Sequence, residues 1–470
     1  MIDNLKERAL LLLLLLIISA SVYGAVIPQI YLMKSRLVTE ITVVGNYKTK
    51  RSVITSELLF KEGSYIENSE LLETIRRSKE NLQNTSLFNN VEITCEFPTL
   101  NTIEINIEVE ERWYLWVFPL FEAEGRNFAD FLRTNDGGNF NYGVYLKHAN
   151  FRGRGNQLKL RFITGYRTQA ILEFHNPAKN HKSGWGAKAI WYMYDKMAYS
   201  TVDDQQVFLK TSGHQLLREM SFHWSYNYRY NLDHYHNVIF SYLDISAADT
   251  LLTLTPDYLP GGKTRARTLD VQYVYTFDKR DSKIYPLNGY NDEISFSRRG
   301  LSMNSNYAGF SRLELQGSFQ RPLMNRLYGK SVVKTSVIDQ DRVPYFYKTG
   351  LGYNEYINGF EYRVIDGTSF GALKSKLFFE LLPRRDLMLN WMPLKQFSRI
   401  HYTLYLKTNL DVGYVYNKYP YAYNHMANSF LLGYGFGLDL VTFYDQIWSV
   451  NYSFNNFGDH GFYFHLNLVL

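Results

Sequence analysis

The sequence has a single cysteine, Cys95, in 470 residues. That excludes an intramolecular disulfide and any cysteine-rich metal site. It has little charge bias: the net charge is +6, and lysine and arginine are dispersed along the chain, which argues against nucleic acid as a partner. Mean hydropathy is slightly negative, so the chain does not read as a bundle of membrane helices. No G-x-S-x-G or H-E-x-x-H segment occurs, and His148, His175, His181 and His214 sit at predicted loop or strand ends without ligand spacing. No enzyme, cofactor or metal is expected. No propeller repeat is present either.

What is abundant is aromatic side chains, 16% of the sequence with 39 tyrosines. The only long apolar run is at the start, "MIDNLKERALLLLLLLIISASVYGAV". Lys6 and Arg8 precede an apolar core, and small residues follow at Gly24 and Ala25. This is the layout of a secretory signal over 1–24, with an uncleaved anchor as the alternative. Export without disulfides means that stability must come from elsewhere.

Residues 37–117 read as a small α+β domain. An alternating strand runs to the Gly45-Asn46 turn. Helical spacing covers Lys50 to Phe60 and ends at Gly63, and a second helix follows, capped by Asn68 or Ser69. Two strands close the segment, and in the second Ile103, Ile105, Ile107 and Val109 alternate with Glu104, Asn106 and Glu108. Cys95 is expected to pack as a small apolar residue. The layout, with Gly45-Asn46, Ile54, Gly63, Leu87-Phe88, Val91 and Val109-Glu110-Glu111-Arg112, resembles a POTRA domain. The resemblance implies a strand edge that accepts client strands by augmentation.

Over 128–470 the period changes to two. "REMSFHWSYNYRY" sets Met220, Phe222, Trp224, Tyr226 and Tyr228 on one face and Ser221, His223, Ser225 and Asn227 on the other. Strands of this length, aromatic outer faces and export favour a transmembrane barrel; a secreted sandwich or propeller is the alternative. About sixteen antiparallel strands are expected. The first is placed at 140–148 and the last at 461–470, and the set includes 203–213, 372–383, 399–416, 430–443 and 446–455. Such a count brings both barrel ends to the side of the small domain. The last strand, "GFYFHLNLVL", should close the ring against the first, with Leu466 facing lipid near mid-membrane. By the same alternation Lys374, Lys376, Glu380, Lys407, Asp411 and Gly413 face the lumen. Gly433, Gly435 and Gly437 read as a thin, weakly packed closing region. The longest connection, 340–371, is too apolar for a solvated tip and is expected to tuck into the lumen.

Several short segments resemble the POTRA-domain outer-membrane barrel superfamily, the bacterial surface antigen family that includes the Bam and Tam assembly barrels and two-partner secretion transporters. "INGFE", with Ile357, Asn358, Gly359 and Phe360, is similar to its lumen-loop motif, although Asn358 stands where the family has arginine. "LDVG" resembles the loop-anchoring motif, with Asp411 and Gly413. "DKRDSKIYPLNG" resembles a turn signature through Asp278, Arg280, Asp281, Pro286 and Gly289. "NFRGRGNQL", at the expected first hairpin, is similar as well. The ending resembles the C-terminal barrel signal through Gly461, Phe464, Leu466, Leu468 and Leu470.

The resemblance implies insertion or translocation of unfolded outer-membrane or secreted polypeptides, without catalysis. Its implied setting is outer-membrane lipid, with the small domain in the periplasm and open to a periplasmic or inner-membrane partner. A solute pore and a dedicated channel for one secreted partner are the alternatives. Arg363, the cation nearest the motif, is expected to replace the missing arginine against Asp411.

Overall fold

The computed structural model describes residues 35–123, 140–165, 167–178, 183–211, 215–353, 355–420 and 423–467. The signal segment, His181, His214, Leu468 and Leu470 lie outside them.

The small domain contains β1 (Ser35–Val44), α1 (Arg51–Thr55), β2 (Tyr65–Glu67), α2 (Leu71–Asn84), β3 (Phe88–Glu96) and β4 (Thr102–Glu111). Its sheet has the order β2-β1-β4-β3, with β1 and β4 parallel. The two-residue period of β4 sends Ile103, Ile105, Ile107 and Val109 into a core with Val38, Ile54, Leu82 and Val91, and Cys95 packs at its edge. Helix α1 is shorter than its spacing predicts. Leu58 and Phe60 still enter the core, but Glu57 leaves the domain to pair with the barrel. Neither Asn68 nor Ser69 caps α2; the N-cap is Glu70, which makes no side-chain capping bond.

The second sheet has sixteen strands. Its first five are β5 (Leu115–Ala123), β6 (Phe140–Phe151), β7 (Asn156–Gly165), β8 (Arg167–Asn176) and β9 (Ser183–Tyr194). A separate hairpin, β10 (Lys196–Val202) and β11 (Gln205–Lys210), intervenes. The sheet resumes with β12 (Leu217–Arg229) and β13 (His234–Ala247), then, after helix α3 (Asp249–Leu254), β14 (Arg265–Asp278), β15 (Gly289–Ser302), β16 (Phe310–Met324) and β17 (Leu327–Ile338). The long connection that follows carries short strands β18 (Thr349–Leu351) and β19 (Ile365–Gly367). Then come β20 (Ser369–Met388), β21 (Arg399–Tyr416), β22 (Phe430–Thr442), β23 (Gln446–Asn455) and β24 (His460–Asn467).

The count of sixteen agrees with expectation, but two strands differ. β5 is in the sheet, so the barrel begins at Leu115 and not at 128. Pro119 hides it in the sequence, because proline cannot donate to a ladder; β5 is an edge strand, where that loss is tolerated. The segment 203–213 is not a barrel strand. It contributes β11, whose turn residues Asp203 and Asp204 both have positive φ, 52° and 53°, as a tight hairpin turn requires. Among the described residues no ladder joins β24 to β5, so the expected closing contact is not formed by 460–467.

Side chains follow the alternation. Met220, Phe222, Trp224, Tyr226 and Tyr228 are exposed on the outer face, while Ser221 and Arg229 are buried. Beyond the end of the barrel away from the small domain, Leu216, Leu217, Ile245, Leu251, Tyr258 and Leu259 form a second core under α3 and the β10–β11 hairpin.

The small domain docks on the other end. Glu57 accepts two bonds from Arg229, both 2.8 Å, and both side chains are buried. Arg77 pairs with Asp233 at 2.7 Å. "NFRGRGNQL" lies at the second connection, between β6 and β7, and is part of this interface. Lys50 N donates to Gly153 O, and Asn150 Nδ2 donates to Thr49 Oγ1. A side chain at Gly153 would collide with the Lys48 carbonyl, 2.0 Å from its Cβ position.

Candidate functional site: the lumen loop and the last strands

The long connection enters the barrel, and Ile357 and Phe360 are buried there. Gly359, at φ +86°, makes the turn that places them. Phe360 N donates to Ile357 O at 3.0 Å, and Gly359 O accepts from Asn455 Nδ2 at 2.7 Å. The loop backbone lies directly on β22: a Cβ on Gly433 would be 1.8 Å from Asn358 O. Gly413 receives Ile357 in the same way, with Ile357 Cδ1 2.9 Å from where its Cβ would be.

Asp411 is fully buried between these glycines. Its Oδ2 accepts Asn358 N at 3.1 Å and also Asn358 Nδ2. Lys374 stands opposite Asp411 in the ladder but forms its ion pair with Glu355, which Lys334 also reaches at 3.0 Å. Asn358 therefore makes the direct contact with Asp411, and Lys374 and Lys334 tie the loop through Glu355.

Arg363 does not take the role expected of it. Its guanidinium grips Asp459, at the tip of the last hairpin, through two bonds of 2.9 Å, and donates to Asp203 O at 3.1 Å. The turn at Gly359 carries the chain up and away from Asp411 before residue 363 is reached. The glycines of β22 are not weakly packed either. Gly433 supports the loop, and Cβ atoms on Gly435 and Gly437 would lie 2.3 Å from Tyr452 O and 2.4 Å from Val450 O.

The inner face of β24 also belongs to the site. Tyr463 is buried against Tyr362, ring centroids 5.2 Å apart, and His465 stacks on Tyr356 at 5.4 Å. Phe464 and Leu466 point outward and are exposed, and Gly461 pairs with Ser453. Below the loop, Lys407 and Asp439 form a buried ion pair, and Tyr285 donates to Asp439 Oδ2 at 3.0 Å. Tyr285 comes from the 279–288 turn, where the signature residues assemble. Arg280 holds Asp278 through two bonds, Asp281 accepts Ser282 N at 2.8 Å, and Gly289 passes 2.2 Å, measured from a Cβ position, over Lys279 O. A cavity of about 250 Å³ remains between turn and loop, lined by Tyr285, Pro286, Lys330, Tyr356, Lys376 and Asn358. Glu380 keeps to the inward face by alternation, between exposed Phe379 and Leu381.

At the foot of β23, Asp445 receives both arms of Arg112 and a bond from Ser86 Oγ. Burial pushes the Asp445 carboxyl up, but the bonds and charge of Arg112 outweigh it and hold the group below the usual carboxylate range. Elsewhere in the lumen, Ser221 lies between Glu219 and His223. That order leaves the imidazole without the carboxylate a nucleophile's base requires. No described group of three His, Cys, Asp or Glu could hold a metal.

Sequence reasoning missed the roles of Glu355, Tyr356, Asn455, Tyr463 and His465, and read Asp459 only as the polar residue of the C-terminal signal. Only the inward phase of the last two strands marked some of them.

Residues 37–112 match the POTRA family model, described as the surface antigen variable number repeat. No curated protein matches the chain. Among solved structures, BamA from Haemophilus ducreyi lacking POTRA domains 1–3 is similar at 13% identity and a TM-score of 0.51, covering 91% of this chain and 84% of that one. CdiB from Escherichia coli is similar at 13% identity and 0.54, covering 92% and 76%. CdiB from Acinetobacter baumannii stands at 11% and 0.52, covering 92% and 74%. The chain is a POTRA domain joined to a sixteen-stranded barrel, the fold it shares with BamA and CdiB.

Proposed function

We propose that this protein resides in the outer membrane, with its POTRA domain in the periplasm, and inserts or translocates unfolded polypeptide without catalytic chemistry. The observation that carries this reading is a loop seated inside the lumen beside two edge strands that no ladder joins among the described residues. The loop occupies the interior between β20 and β24 and narrows the lumen to a cavity of about 650 Å³ beside β8–β16, which argues against a wide passive pore. β5 and β24 meanwhile keep one backbone edge each outside any described ladder. A client strand can satisfy its own backbone groups by pairing there, which lipid cannot do. The inner face of β24 rests on the loop, so movement of the loop is coupled to that edge. The POTRA domain presents β3 as the outer strand of its sheet, in position to hand over an extended segment.

The apolar outer face supports the membrane placement. From Tyr228 to Arg218 is ten residues of β12, and at about 3.3 Å per residue and a tilt near 40° this rises about 25 Å, the height of an outer-membrane apolar band.

The test is a photo-crosslinker at Phe462 or Phe464, on the outer face of β24, used in living cells. Trapped precursors of several barrel proteins establish insertion; one secreted partner establishes dedicated secretion. Recovery of no polypeptide, with solute uptake that depends on the protein, overturns the reading in favour of a pore.

A further inference from the structure

The outer face of β12, β13 and β14 changes chemistry at the end away from the POTRA domain. Through most of its height it carries Met220, Phe222, Tyr242 and Leu269, all exposed. Above them stand Arg218, Arg265 and Arg267, with a single carboxylate, Asp244. The ladder places Arg218 and Arg265 on either side of Ser246, and Met220 and Arg267 on either side of Asp244. Two strand spacings separate Arg218 from Arg265, about 10 Å. Arg265 holds Asp244 through two bonds, and Arg267 Nε reaches the same carboxylate at 3.4 Å. Arg218 reaches only the Met220 sulfur, also at 3.4 Å. The side chains of Arg265 and Arg267 remain 55% and 46% exposed, so three guanidiniums face outward over one acid.

Depth decides what they face. The ten residues from Tyr228 span the apolar band, so Arg218 stands at headgroup level. At the opposite end, the outer face of the same strands carries Tyr228, His236, Tyr275 and Phe277, and no arginine. Snorkelling of long side chains would serve either interface equally. On these three strands outward arginines stand at one end only, whereas Lys279 at the other end is paired with Asp233, and this asymmetry fits an anion confined to one leaflet. We infer that Arg218, Arg265 and Arg267 form a site for the phosphate groups of a phosphorylated glycolipid in the outer leaflet. Guanidinium forks suit phosphate oxygens, and the lipid's acyl chains would lie along the apolar residues beneath. This inference rests on the membrane placement proposed above.

The experiment reconstitutes the full chain in phosphatidylcholine nanodiscs containing a small fraction of lipid A, and measures lipid retained by the protein. Bis-phosphorylated lipid A should be enriched about thirtyfold over its dephosphorylated form, from two cations in excess at about 1 kcal/mol each. R218Q/R267Q keeps the Arg265–Asp244 pair and should abolish the enrichment. D244N removes the competing acid and should increase it. Equal retention of the two lipids, or a response to neither variant, overturns the site while leaving the membrane reading intact. A chain that enters no bilayer overturns both.

Discussion

Asn358 meets Asp411 with two nitrogens at once, its backbone N–H at 3.1 Å and its side-chain amide. A carboxylate removed from water needs such donors, and here a neutral residue supplies both. A double-mutant cycle on Asn358→Ala and Asp411→Ala, read as denaturation in detergent, should give a coupling of about 1–2 kcal/mol. Part of the contact is backbone and survives the Asn358 substitution, which sets the upper bound. The same cycle with Arg363→Ala should be additive within about 0.5 kcal/mol. Coupling of Arg363 to Asp459 should instead exceed that of Arg363 to Asp411.

Gly433→Ala tests whether the loop truly rests on the barrel wall. The new methyl would sit 1.8 Å from Asn358 O, backbone against backbone, with no flexible side chain to yield. The loop must lift, and its burial of Ile357 and Phe360 is lost, at a cost of about 3 kcal/mol or more. Gly371→Ala, where a Cβ meets nothing within 4 Å, is the matched control and should be near neutral. Cleavage of the loop by added protease, fast in Gly433→Ala and slow in Gly371→Ala, reads the difference directly.

The turning glycine of the loop was legible from residue type, and the inward phase of Asp411 and Gly413 from alternation, while their anchoring of the loop was legible only through the resemblance to the superfamily's motif. The alternation of β12 or β23 was legible from residue type as well. What was not legible depends on pairs far apart in the chain. Glu57 and Arg229 are 172 residues apart, and each reads as an ordinary surface charge until the domains dock. Arg363 and Asp459 meet only because Gly359 redirects the loop toward the last hairpin. Pro119 made an edge strand look like a linker. Gly433, Gly435 and Gly437 were read as loose because a missing side chain in a strand usually means lost packing; here other backbones fill the space.

Docking of the POTRA domain should be rigid and insensitive to pH above about 7. Glu57→Ala leaves Arg229 buried and unpaired, and should cost about 3–5 kcal/mol of docking or stability, whereas replacing both by methionine should cost far less. The acid limit comes from Asp445. Its folded value lies below the 3.8 of a free carboxyl, so its contribution is complete above that value and is lost as pH falls through the depressed one. Protease release of the POTRA domain should rise gradually below about pH 6.5, because burial and Lys48 hold the His148 imidazole below that value in the docked state, and rise again below about 4. Arg112→Gln leaves burial to dominate at Asp445 and raise its carboxyl, so release should increase at neutral pH and the rise below about 4 should disappear. Removal of the domain by deletion should stop at 112, because a deletion through 117 also takes Leu115–Val117 from β5.

Charging the outer face of the last strand should cost most at Phe464, and less at Leu466, where the alternation alone had placed mid-membrane. Phe464 pairs with Val450, at the middle of the ten-residue strand β23. Leu466 pairs with Trp448, two residues from the end of β23 nearest the POTRA domain. Phe464→Lys should therefore cost about 2–4 kcal/mol, and Leu466→Lys about 1 kcal/mol, since a lysine at that depth reaches the interface. Urea titration of the protein folded in lipid vesicles measures both. An equal cost at the two positions would mean that β24 does not keep its ladder register with β23 in the membrane. A negligible cost at Phe464 would mean that its outer face does not meet lipid.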